Sequence, residues 1–220
     1  MFNINSILFN NNKHKNTSKM EIKEYVIAAA RTLPDLGSEE KNKLHMVLGL
    51  KTEVRELCDI IKRDFAYKKE IDKVHAKEEI GDLMWYLAGY DTIHSKNKGA
   101  EGSLLASYVV NSVNSLDFIP NSELPESESE KDEFWFFKRI CEIDKQIIYL
   151  FYISYGYANE VISLSKIYIE IQRICEYLGI DLSECMSKNI EKLKVRYPEK
   201  FTEELAVNRN TEEERKKLEE

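Results

Sequence analysis

The chain has 220 residues, 43% of them hydrophobic and 32% charged, with 39 Asp and Glu against 32 Lys and Arg. That length suits one domain, or one domain carrying a large insertion, and a content of only 8 Gly and 4 Pro excludes collagen-like or low-complexity chains and favours long helices. A formal net charge of −7 excludes a general binder of nucleic-acid polymers, which needs a basic face to displace counterions.

Residues 1–19 are Asn- and Lys-rich and read as an N-terminal arm, too polar for a secretory leader. From Glu21 the spacing of Ile22, Tyr25, Val26, Ala29, Ala30 and Leu33 predicts a helix that Pro34 stops. Ser38 marks the next helix start, and Leu44, Val47, Leu50, Val54, Leu57, Cys58 and Ile61 form its apolar stripe. A third helix is predicted over 72–90, with Ile80, Leu83, Met84 and Leu87 inward, followed by a polar break over 91–103. A short helix over 104–116 and an acidic linker over 121–133 come next.

The aromatic run Phe134, Trp135, Phe136 and Phe137 opens a helix over 134–155 and faces more than one side, so at least two surfaces are expected to cover it. A helix over 159–178 should end at Gly179, and Asp181 or Ser183 starts another that runs into Tyr197-Pro198. The tail from Thr211 reads as a charged, exposed helix or frayed end. The predicted class is all-α. Cys58, Cys141, Cys175 and Cys185 include no C-x-x-C pair and read as reduced, buried or half-buried thiols. The longest apolar run, 147–155, is shorter than the roughly 18–20 residues of a membrane span, so the expectation is a soluble, cytoplasmic protein without a membrane partner.

Two segments repeat one pattern: Glu53-Val-Arg-Glu56-Leu-Cys and Glu79-Ile-Gly-Asp82-Leu-Met. Carboxylates at i and i+3 share a helix face, and both pairs sit beside an apolar stripe in the same way. If the stripes pack together, four carboxylates meet at one cleft edge, where repulsion calls for a cation and oxygen ligands select Mg²⁺ or Mn²⁺. The spacing alone is more often that of a solvated helix face; the matched placement brings a site level with it, and Gly81 inside a helix adds a little more.

The stretch HMVLGLKTEVRELCDIIKR followed by EEIGDLMWYLA resembles the E-x-x-E … E-x-x-D signature of the MazG-like all-α nucleoside-triphosphate pyrophosphohydrolases. LGIDLSECMSKNIEKLKVRYPEKF is similar to their closing helix, with its N-x-x-K-L … R-Y-P ending. The resemblance implies a helical bundle whose catalytic core is discontinuous, 20–90 and 171–205, with 91–170 as a helical insertion between the third and fourth core helices and 206–220 as a charged tail. It implies Mg²⁺-dependent cleavage of a nucleoside or deoxynucleoside triphosphate to the monophosphate and pyrophosphate, for pool control or house-cleaning, by a homodimer or homotetramer. Glu53, Glu56, Glu79 and Asp82 would be metal ligands and catalytic residues, with Glu53 or Glu56 as the candidate general base. Lys62, Tyr86, Asn189, Lys192 and Arg196 would bind substrate. The insertion is expected to cap the cleft or build a self-association contact, and Arg55, where relatives carry a small residue, to narrow the cleft. Within the same superfamily the substrate could instead be dUTP, dCTP or phosphoribosyl-ATP. From another class, the chain could be a helical interaction scaffold with a vestigial acid cluster. Asp72-x-x-His75 and Asp91-x-x-His94 are poor matches to the Glu-x-x-His pairs of di-iron bundles.

Overall fold

A computed structural model describes residues 19–97, 103, 105, 107, 133–152 and 157–219, and among them every regular element is a helix. These are α1 (Ile22–Ala30), α2 (Glu39–Tyr67), α3 (Lys73–Asn97), α4 (Glu133–Tyr152), α5 (Tyr157–Leu178), α6 (Leu182–Arg196), α7 (Glu203–Val207) and α8 (Thr211–Glu219). The acidic linker, the N-terminal arm apart from Lys19, and the helix expected over 104–116 apart from Leu105 and Ser107 lie outside the described residues. No described helix is long and apolar enough to cross a membrane.

Local chemistry sets the helix ends. The Ser38 hydroxyl accepts the Lys41 amide at 3.3 Å and caps α2, and Asp181 caps α6 by accepting the Ser183 amide at 2.9 Å. At the end of α5, Gly179 takes φ +63°, and the Ile180 amide returns to the Cys175 carbonyl at 2.9 Å. Glycine closes that helix because its left-handed backbone carries no Cβ penalty.

α3 is the hub of the bundle, packed against α1, α2, α5, α6 and α8. Its expected stripe is buried, and so are Trp85, Ala88 and Tyr90, so the helix is covered on nearly every side. It also runs through the expected break to Asn97. The reason is that Asp91 and His94, which read as polar loop residues, are buried. Asp91 accepts the Ser103 hydroxyl at 2.6 Å and the Leu105 amide at 3.2 Å. His94 Nδ1 lies 2.8 Å from Glu160 of α5, whose other oxygen takes the Tyr90 hydroxyl at 3.0 Å and the Lys43 ammonium at 3.2 Å. Polar groups paired in this way belong in a helix interior.

Other expectations shift by part of a turn. Leu44 is largely exposed, and Met46 and Ile60 take inward places on α2, so the stripe is rotated toward α3. On α4, Trp135 and Phe136 are buried, but Phe134 and Phe137 remain 69% and 59% exposed. Among the described residues α4 meets two helices, α2 and α5, which cover Trp135 and Phe136 and leave Phe134 and Phe137 outward. Cys175 and Cys185 are buried beside each other where α5 gives way to α6, Cys58 is half-buried, and Cys141 is exposed, contrary to its expected burial. α8 is no frayed end: Glu214 and Leu218 are buried against the bundle, and the helix packs on α6 and α3.

Two glycines let the helices come close enough to build a cleft. A Cβ on Gly49 would lie 2.1 Å from the Tyr86 ring, so α2 and α3 touch through that ring. A Cβ on Gly81 would lie 3.0 Å from Asn189 Cβ, so the close approach that Gly81 permits is that of α6. Gly49→Ala should destabilise the protein by about 1–3 kcal/mol through overpacking, read as a lower denaturant midpoint at unchanged slope.

Candidate functional site

α2 contributes Glu53 and α3 contributes Glu79 and Asp82 to one region, because Val54 and Ile80, the residues next to the two acids, are both buried in the core. Glu53 and Glu79 are hydrogen-bonded to each other, which requires a proton between them. Burial, that shared bond and the nearby Asp82 charge push Glu53 up to about 8. Burial, with Asp82 and Glu78 adding to it against the opposing pull of Glu53 and Lys192, raises Glu79 to about 7. Glu53 also meets the Thr52 hydroxyl at 3.1 Å, and His75 Nε2 lies 2.8 Å from Glu79.

Asp82 is held differently. Lys192 of α6 places its ammonium 2.6 Å from each Asp82 oxygen and 3.5 Å from Glu78, and is itself 0% exposed. Asn189 Nδ2 donates to Asp82 at 2.7 Å, while its Oδ1 accepts the Tyr25 hydroxyl at 2.8 Å. Tyr25 also reaches the Gly81 carbonyl at 3.2 Å, so α1, α3 and α6 are tied through one polar chain. Burial, then the Asp82 charge, raises the Tyr25 hydroxyl well above its ordinary range and keeps it a donor.

Of these groups Glu53 and Asp82 open onto a cleft of about 350 Å³. Glu53, Asp82 and Arg196 line it, with His45, Trp85 and Tyr86 as an aromatic wall and Phe201, Ala206 and Arg209 from the chain beyond α6. Trp85 Nε1 donates to Thr32 at 2.8 Å, and its ring meets the Tyr86 ring edge-on at 4.8 Å, so the wall is fixed from behind. Burial, followed by the Glu53 charge, pushes the Tyr86 hydroxyl up to about 12. Burial lowers the His45 imidazole and favours its neutral form. Among the described residues none from 91–170 lines this cleft, so capping by the insertion finds no support in them.

Of the residues singled out in the sequence, the structure brings together Glu53, Glu79, Asp82, Tyr86, Asn189, Lys192 and Arg196. Glu56 is exposed on α2 and does not line the cleft. Lys62 is exposed and paired with Asp59. Together with Arg55 it borders a separate apolar groove between α2 and α4, with Phe65, Phe134 and Phe137. Arg55 therefore does not narrow the acidic cleft. Sequence reasoning missed Tyr25, hidden among apolar neighbours, and weighed His75 against Asp72 when its partner is Glu79, one turn on. It also missed Arg209 and Glu214, which lay in a stretch dense with ordinary surface charge.

The donor set is all carboxylate oxygen at its acidic end, which suits Mg²⁺ or Mn²⁺. Glu53 and Glu79 are raised first by burial and then by neighbouring acids, so each favours its neutral form. Yet among the described residues no group of three or more His, Cys, Asp or Glu side chains is set for a metal ion: Asp82 turns to Lys192 and Glu56 points away. Compared with protein-family models, curated proteins and solved structures, the chain finds no match.

The proton shared by Glu53 and Glu79 has a measurable consequence. Both groups titrate higher in the folded chain than in the unfolded one, so the stability they lend is fully present below the unfolded carboxyl range, about pH 4.3. It is lost as pH rises through about 7 and about 8. Thermal melting should therefore fall between about pH 5.5 and pH 8.5, and Glu53→Gln should flatten that slope. At the alkaline end the variant should melt roughly 3 °C above wild type, equivalent to about 1 kcal/mol in a chain of this length.

Proposed function

We propose that the chain is a divalent-metal-dependent pyrophosphohydrolase that converts a nucleoside or deoxynucleoside triphosphate to the monophosphate and pyrophosphate. The observation that carries this reading is the meeting of Glu53, Glu79 and Asp82, from two helices, beside an aromatic-walled cleft that Glu53, Asp82 and Arg196 line together. The sequence resemblance to MazG-like enzymes supports it, because the acids and the closing-helix Asn189, Lys192 and Arg196 lie in one neighbourhood.

When bound, a divalent cation would supply Lewis-acid stabilisation of phosphate charge and an acidified water. Glu53, Glu79 and Asp82 are the residues that would hold it. A carboxyl group titrating near neutrality, as Glu53 and Glu79 do, accepts a proton from an attacking water and passes it on within the physiological range. Lys192 fixes the Asp82 carboxylate at both oxygens, and Asn189 holds the same group from the side. His45, Trp85 and Tyr86 give a base a flat surface, and the cleft volume of about 350 Å³ falls in the range of small-molecule sites. A role in nucleotide-pool control or house-cleaning, and self-association as a dimer or tetramer, belong to the same reading. The exposed Phe134 and Phe137 of α4 offer an uncovered apolar face for the latter.

The test is pyrophosphate release from each ribo- and deoxynucleoside triphosphate with Mg²⁺ or Mn²⁺, comparing wild type with Glu79→Ala. Turnover of one or a few nucleotides, reduced about 100-fold or more in the variant, is the expected result. A folded wild type that hydrolyses no nucleotide, phosphoribosyl-ATP included, would refute the enzyme and leave a helical scaffold.

A further inference from the structure

Beyond α6 the chain turns back, and residues 197–209 form one side of the acidic cleft. α8 anchors that return by burying Leu218 and Glu214. Glu214 is 2% exposed and sits between two guanidinium groups: Arg196 donates to it through Nε at 3.0 Å and through Nη2, and Arg209 donates through Nη2 at 2.8 Å. Arg196 also lies over the Tyr197 ring, 6.0 Å from its centroid.

One carboxylate between two guanidinium groups leaves a positive surplus. It also occupies only one edge of Arg196, whose fork has five N–H donors in all. Both arginines line the cleft that holds Glu53 and Asp82, and the Arg196 side chain feels the Asp82 charge. The cleft thus offers carboxylates and guanidinium groups on one surface. A ligand that satisfies both kinds of group carries several linked negative charges, some met by the carboxylates through a cation and others by the arginines. Linear polyphosphate has that form. Glu214 does not resemble a detachable competitor for the arginines, because it is buried and its helix is packed on α6 and α3.

We propose that Glu214 is a positioning residue that holds Arg196 and Arg209 as a two-arginine subsite for a phosphate group of the substrate. The proposal rests on the function above only in taking the ligand to be a polyphosphate. Arg209 comes from the turn between α7 and α8, so the C-terminal segment becomes part of the binding site and not a tail.

The experiment is calorimetric titration of the full chain with inorganic tripolyphosphate in the presence of Mg²⁺, for wild type, Arg209→Ala, Arg209→Lys and Glu214→Gln. Arg209→Ala should bind about tenfold more weakly at an unchanged melting temperature, as the loss of one charge-assisted hydrogen bond implies, and Arg209→Lys should recover part of that loss. Glu214→Gln should weaken binding in the same direction. Equal affinity in Arg209→Ala, or no binding by wild type, would overturn the subsite. Tighter binding by Glu214→Gln would overturn it as well, and would make Glu214 a competitor. If Glu214→Gln does not fold, Arg209→Ala still decides, since that side chain is 42% exposed. Nucleotide turnover without arginine dependence would sink only this proposal. Arginine-dependent tripolyphosphate binding without any turnover would sink the enzyme reading and leave the subsite standing.

Discussion

Lys192 carries a full charge at a position with no exposed surface, and such a charge is tolerated only beside a counter-charge. Asp82 supplies it, with Glu78 as a more distant partner. The pair fixes where α6 docks on α3. Asn189, one turn earlier on α6, extends the arrangement to Tyr25 and so to α1. Gly81 makes this possible by leaving no side chain between α3 and Asn189. Removing the ammonium would therefore disturb the helix packing and the acid cluster together, because one contact serves both.

The same contact divides the acids into two kinds. Asp82 has its charge matched inside the protein, whereas Glu53 and Glu79 lean on each other and must keep a proton to do so. The surrounding apolar core disfavours a second negative charge on that pair by excluding water. The aromatic wall serves a second purpose here. Trp85 and Tyr86 brace each other and the α2–α3 contact, so the shape of the cleft follows from the packing of the core.

Much of this was readable from residue order. Acid spacing on α2 and α3, the caps at Ser38 and Asp181 and the stop at Gly179 are local signals, and each appears in the folded chain where the residue types place it. What could not be read depends on partners far along the chain. Asp91 and His94 look like a helix end because partners that bury them, Ser103, Leu105 and Glu160, lie farther along the chain. Glu214 looks like any solvated glutamate until Arg196 arrives from α6. Glu56 and Glu53 are equivalent in spacing, yet only Glu53 faces the cleft, because the buried face of α2 is rotated toward Met46 and away from Leu44.

The adjoining thiols of Cys175 and Cys185 give the molecule an internal clock. Their mutual hydrogen bond and burial raise the Cys175 thiol far above its free value, so the reactive thiolate does not form while α5 and α6 stay together. Cys141, exposed on α4, has no such shield. An alkylating reagent would mark Cys141 at once and Cys175 only when the junction opens, so the delay between the two labels measures how often the bundle comes apart at the place where Lys192 and Asn189 depend on it.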